Sequence, residues 1–156
     1  MEVGDKFPDF VLSDENDEVF DSKNLEGIRY VIYFYPKDNT AGCTKEALEF
    51  TELISSFMMR NIPVIGVSRD SPASHRKFID KHHLKVKLLS DPDHSLTEAV
   101  GAWGLKKMYG REYEGVFRST FIVGKDGKTE AVWKNVKVAG HAQKVLDRAI
   151  SLINSG

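Results

Sequence analysis

Tyr30-Val31-Ile32-Tyr33-Phe34-Tyr35-Pro36-Lys37-Asp38-Asn39-Thr40-Ala41-Gly42-Cys43 is the stretch on which the fold turns. Its first six residues are continuous, apolar and β-prone, the pattern of a central strand buried on both faces. Pro36 cannot donate to a sheet ladder and ends the strand. From about Cys43 to Arg60 the apolar positions Ala47, Phe50, Leu53, Ile54, Phe57 and Met58 recur at helical spacing, with Thr40 placed as N-cap. A buried strand feeding a helix is the repeating unit of an α/β sheet. The loop between them lies at the carboxyl end of the strand, where open α/β sheets place ligands. The chain's one cysteine opens that helix.

Outward from this unit the same alternation continues. Phe10 to Phe20 reads as two short extended pieces around the polar turn Ser13-Asp14-Glu15-Asn16-Asp17. Asn61 and Ile62-Pro63 stop the helix, and Val64-Ile65-Gly66-Val67 is a second buried strand. Ser71 caps a helix with Pro72 at its first position, running to about His83. Lys87-Leu88-Leu89 is a short strand, and Ser95 to Val100 a short helix ending at Gly101. Thr120-Phe121-Ile122-Val123 and Glu130-Ala131-Val132-Trp133 form a hairpin through Asp126-Gly127. An amphipathic helix from about Ala139 to Ile153 closes the chain. Parallel strands come first and an antiparallel pair last. That order predicts an α/β protein of thioredoxin-like fold: a central mixed sheet flanked by helices, with an N-terminal β-hairpin extension. No repeat or linker divides the 156 residues, so one domain over residues 1–156 is expected.

The charge balance narrows function. There are 22 basic and 23 acidic residues, a formal net charge of −1, which gives no support for a nucleic-acid or membrane partner. No apolar stretch approaches the length of a membrane span. The start, Met1-Glu2-Val3-Gly4-Asp5, is acidic and polar, unlike a signal peptide. One cysteine cannot form an internal disulfide, and a reducing compartment, the cytoplasm, is expected.

At the start of a helix, unpaired N–H groups and the positive end of the macrodipole favour an anion. The thiolate is the reacting form of a cysteine. Gly42 lets a substrate approach the backbone closely. The Thr40 hydroxyl can serve the thiolate or an incoming oxygen, and Pro36 can shield one side of the sulfur. A nearby arginine would stabilise the thiolate and polarise an O–O bond. The residues alone leave a second reading open, in which Cys43 is a small buried hydrophobe. They also leave open which arginine is close.

Pro36-x-x-x-Thr40-x-x-Cys43 resembles the active-site signature of the peroxiredoxins. The wider text, in Tyr33-Phe34-Tyr35-Pro36-Lys37-Asp38, Cys43-Thr44-Lys45-Glu46-Ala47, Gly66-Val67-Ser68, Leu88-Leu89-Ser90-Asp91 and Arg118-Ser119-Thr120-Phe121-Ile122-Val123, resembles the bacterioferritin comigratory protein, or peroxiredoxin Q, branch. The resemblance covers nearly the whole chain. It implies a thiol-dependent peroxidase that reduces hydrogen peroxide and organic hydroperoxides with no metal, haem or flavin. Cys43 would be the nucleophile and become a sulfenic acid. Thr40 would hydrogen-bond the peroxide, and Pro36 would pack over the site. Arg118 would activate thiolate and substrate, and Glu46 would orient that arginine.

Two departures stand out. Ala41 replaces a proline common between the Thr and Gly of the loop. Leu48 occupies the place, five residues after the first cysteine, where many members carry a second one that resolves the sulfenic acid. The chain therefore resembles a one-cysteine peroxiredoxin, whose reductant would be thioredoxin, glutaredoxin or a low-molecular-weight thiol. A disulfide between two copies of Cys43 would be a dead end. A monomer is expected, with a weak dimer through surfaces near the loop as the alternative. The rival reading is a peroxide sensor, or a chaperone-like binder, without efficient turnover.

Other features carry bland readings. Glu46 can be a first-turn residue complementing the helix dipole, and Arg118 a surface charge at a strand end. His75, His82, His83, His94 and His141 lack metal-ligand spacing and read as solvent-exposed. Gly124-Lys125-Asp126-Gly127-Lys128 lacks phosphate-loop spacing. Trp103, Tyr109, Tyr113 and Phe117 read as core or site-wall residues.

Overall fold

The computed structural model describes residues 1–155. Among these described residues there are nine strands: β1 Val11–Asp14, β2 Val19–Asp21, β3 Tyr30–Phe34, β4 Val64–Ser68, β5 Lys87–Ser90, β6 Trp103–Met108, β7 Arg111–Val116, β8 Ser119–Val123 and β9 Thr129–Trp133. Five α-helices accompany them: α1 Ala41–Glu52, α2 Ile54–Met58, α3 Pro72–His82, α4 Ser95–Ala99 and α5 His141–Ser155. Seven strands make one mixed sheet in the order β2-β1-β5-β4-β3-β8-β9. The β3–β4 and β4–β5 pairs are parallel, and the others are antiparallel. This is the mixed α/β sheet expected of a thioredoxin-like chain.

All five residues of β3 are buried, because its side chains alternate between two covered faces. Val31 and Tyr33 face a core with Phe50, Phe57, Phe78 and Val145 from the helices. Tyr30, Ile32 and Phe34 face a second core with Phe7, Phe10, Leu96, Val100 and Val116. Both cores are apolar layers against one sheet, so burial dominates what holds β3 at the centre.

Three departures from the sequence reading have local causes. The predicted helix over Cys43 to Arg60 begins at Ala41 and breaks at Leu53, whose N–H bonds the Phe50 carbonyl three residues back. The chain resumes helix at Ile54, and Phe57 joins Phe50 in the core with ring centroids 6.1 Å apart. The hairpin of β6 and β7 was not read from sequence. Most of its side chains are exposed, so no apolar alternation marks it. Its turn is Tyr109-Gly110, both at positive φ (52° and 76°), which matches the twist of a tight hairpin.

Contrary to the expectation of solvent-exposed rings, the histidines are not all at the surface. His75 has no exposed surface and His141 only 4%. Each is buried because its ring finds polar partners within the fold.

Candidate active site

The loop from Pro36 to Thr40 carries the chain from the carboxyl end of β3 into α1. With Thr40 as N-cap, Cys43 is the third residue of the helix. Thr40 does not cap with its side chain. Its Oγ1 donates instead to the Lys37 carbonyl at 2.8 Å. The first-turn N–H groups of α1 thus keep no side-chain acceptor, and the positive end of the helix dipole faces the sulfur unquenched. Cys43 itself is 2% exposed and lies among the apolar residues of the helix-side core.

Register brings the arginine to this point. β8 runs antiparallel to β3, with Ser119 opposite Phe34. Arg118, one residue before β8, therefore stands at the end of β3 from which the loop departs. Its Nη2 donates to Cys43 Sγ at 3.3 Å and its Nη1 to Glu46 Oε1 at 2.6 Å. The fork of the guanidinium so joins a sulfur and a carboxylate one helical turn apart. A Cβ at position 42 would come 3.4 Å from Arg118 Nη2, so the guanidinium lies over Gly42 itself.

Glu46 is 1% exposed, and its second oxygen, Oε2, has no hydrogen-bond partner. Burial pushes its carboxyl up to about 7, against the pull of Arg118. Arg118 loses from burial but gains more from Glu46 and Cys43, and its pKa is raised. Lys106 of β6 is a second cation beside the site. Its Nζ lies 5.8 Å over the Phe117 ring. Burial and then Arg118 lower its pKa, while Cys43 opposes them.

The structure thus brings Cys43, Glu46 and Arg118 into one hydrogen-bonded cluster. Thr40 and Pro36 are exposed at the rim of the loop, and Thr40 turns its proton to Lys37 rather than to the sulfur. The four aromatics before Arg118 do not form one wall. Tyr109 is 97% exposed at the tip of the β6–β7 hairpin, and Trp103 stacks on His94 at 4.0 Å.

Sequence reasoning passed over two neighbours. Tyr33 is buried with an unpartnered hydroxyl, and its rings stack with Phe50 at 4.8 Å. Its phenol tops Gly66, where a Cβ would lie 2.9 Å from the hydroxyl, so no larger residue fits at 66. His141 meets Thr120 Oγ1 at 2.8 Å and packs edge-on against Phe50 and Trp133. Burial, then Lys144 and Arg118, push its imidazole down to about 4, so it is neutral at physiological pH.

The AhpC/TSA family model matches residues 3–132. A putative peroxiredoxin bcp of Helicobacter pylori is 46% identical over 147 residues, covering 94% of this chain and 97% of that one. A cysteine-to-serine mutant of Xylella fastidiosa PrxQ superposes with a TM-score of 0.93 at 36% identity, covering 98% of both chains. The bacterioferritin comigratory protein of Xanthomonas campestris, studied for its alkyl peroxide reduction activity, superposes with a TM-score of 0.87. It is 39% identical and covers 91% of this chain and 90% of that one.

Proposed function

The chain belongs to the AhpC/TSA family and is a thiol-dependent peroxidase of the peroxiredoxin Q kind, and from that premise we propose that Cys43 is its attacking thiolate. The observation that carries this is the Arg118 Nη2 contact with Cys43 Sγ at 3.3 Å, at the third residue of a helix.

The sulfur attacks one peroxide oxygen. An S–O bond forms, the O–O bond breaks, and the electron pair leaves on hydroxide or alkoxide. Arg118 and the first-turn N–H groups of α1 stabilise the charge that develops there. The departing oxygen takes a proton and leaves as water or alcohol. Thr40 Oγ1, with its own proton held by Lys37, accepts the O–H of the incoming peroxide. Glu46 holds one arm of Arg118 and so aims the other at the sulfur. Pro36 screens the sulfur from the solvent side of the loop.

Cys43 is the chain's only cysteine, so the sulfenic acid has no internal partner. An external thiol attacks it, forming a mixed disulfide and water, and a second thiol frees Cys43. Thioredoxin, glutaredoxin and small thiols all have the chemistry required. Hydrogen peroxide and alkyl hydroperoxides are the substrates, in keeping with the activity studied in the Xanthomonas campestris relative. The enzyme works in the cytoplasm as a single domain and a monomer; a single thiol suits a reducing compartment. Turnover of each peroxide with each thiol, set beside a Cys43→Ser variant, tests the proposal. Serine-variant turnover equal to wild type would overturn it.

A further inference from the structure

A buried polar knot ties the active-site loop to the rest of the fold. In the loop Pro36–Thr40, only Asp38 is buried. Its Oδ1 accepts from the Tyr35 hydroxyl, and its Oδ2 from the Ser74 hydroxyl at 2.8 Å. His75 Nδ1 lies 2.7 Å from the same Oδ2. The other ring nitrogen, Nε2, lies 2.9 Å from the Leu89 carbonyl of β5. A carbonyl oxygen only accepts, so Nε2 carries a proton. Nδ1 faces a carboxylate that already accepts two hydroxyls. The Asp38 N–H donates to Asp70 Oδ2 at 2.8 Å, and Asp70 in turn accepts from Ser68.

Elsewhere the loop is lightly held. Asn39 Oδ1 accepts from His82 Nε2 at 3.0 Å in an exposed contact. A cleft of about 490 Å³, lined in part by Asn39, Ser74, Lys77 and Lys81, separates the loop from α3 on the solvent side. The loop thus rests on α3 and β5 mainly through the Asp38 side chain. Cys43, five residues on, is 2% exposed. With the loop in this position, Arg118 Nη2 stands 3.3 Å from Cys43 Sγ, the contact on which peroxide attack depends in the peroxidase reading. An external thiol needs the sulfur uncovered.

Resting on the peroxidase reading, we propose that the Asp38–His75 pair holds the active-site loop closed, and that His75 is a positioning residue dividing Cys43 between peroxide attack and reduction by the outside thiol. The knot acts through loop position and touches no reacting atom.

Three variants test this: His75→Gln, and the milder Tyr35→Phe and Ser74→Ala, each checked for fold by circular dichroism and melting. Two rates are measured on reduced protein. One is oxidation by a single equivalent of hydrogen peroxide, and the other is attack of Cys43 on a bulky aromatic disulfide. Loss of a hydrogen bond to a charged group is worth about tenfold in a rate it controls. In His75→Gln the peroxide rate is expected to fall and the bulky-disulfide rate to rise, each roughly tenfold. The milder variants move in the same opposed directions. If His75→Gln does not fold, the milder pair decides. Folded variants whose two rates stay at wild-type values, or move together, overturn the proposal. A wild-type peroxide rate no faster than free cysteine would instead overturn the peroxidase reading, while the bulky-disulfide arm would still test the loop.

Discussion

Arg118 Nη2 reaches Cys43 Sγ at 3.3 Å across 75 residues of chain. The contact follows from one sheet register, Ser119 opposite Phe34, which sets the residue before β8 beside the loop after β3. The helix start supplies dipole and N–H groups, and the strand end supplies the charge. Neither element alone would make the thiolate site proposed for Cys43.

Arg118→Ala is expected to lower the peroxide rate about 100-fold or more, the usual cost of removing one donor aimed at developing charge. Alkylation of Cys43 at pH 6 should slow with it. Arg118→Lys should recover little, since a point charge cannot bridge both Cys43 and Glu46 as the fork does. Stopped-flow oxidation and timed iodoacetamide labelling measure both. Unchanged labelling would mean another group activates the sulfur.

Glu46 carries a pH signature. Its carboxyl is raised from 4.5 to about 7, so the native state holds this proton more tightly than the unfolded chain. Its contribution to stability is fully present below about 4.5 and is lost as pH rises through 7. Glu46→Gln stays neutral throughout. Relative to wild type, the variant should gain on the order of 3 kcal/mol between pH 4.5 and pH 8. Urea unfolding at the two pH values reads this directly. A difference independent of pH would contradict it.

His141 has the opposite sign. Its imidazole is lowered from 6.5 to about 4, so the unfolded chain binds the proton more tightly. The stability it contributes is present above 6.5 and lost as pH falls toward 4. Thermal melts of wild type and His141→Gln should diverge across that window, wild type losing more on acidification. Parallel curves would contradict the burial argument.

Leu48→Cys should change the chemistry of the cycle. Five residues along an α-helix rise about 7.5 Å, too far for a disulfide with Cys43 without unwinding. After one equivalent of peroxide, the variant is expected to form an internal disulfide and lose helical signal in circular dichroism. It should also resist over-oxidation to sulfinic acid better than wild type. A persistent sulfenic acid in the variant would mean that α1 does not unwind. Mass spectrometry distinguishes the products.

Much of the frame was legible because burial writes itself into β3, β4 and the α1 face at the proper periods. The peroxiredoxin text also pointed to Cys43, Glu46 and Arg118 together before any distance was known. The β6–β7 hairpin escaped because most of its side chains are exposed, so no apolar period marks it. His75 stands three and four residues before Phe78 and Ile79, on the apolar side of α3, and that spacing was a signal for burial. Nothing in the local sequence announces that Asp38 waits there. That pairing spans 37 residues and exists only in the folded sheet. The Thr40 hydroxyl, likewise, chooses the Lys37 carbonyl over its own helix for reasons of loop geometry.

The most direct test of the account is the rate at which reduced protein consumes one equivalent of hydrogen peroxide, with a sulfenic-acid trap located by intact mass and peptide mapping. A rate far above that of free cysteine, with the trap on Cys43, is the predicted result. A rate like that of free cysteine, or rapid consumption with Cys43 untouched, would contradict it.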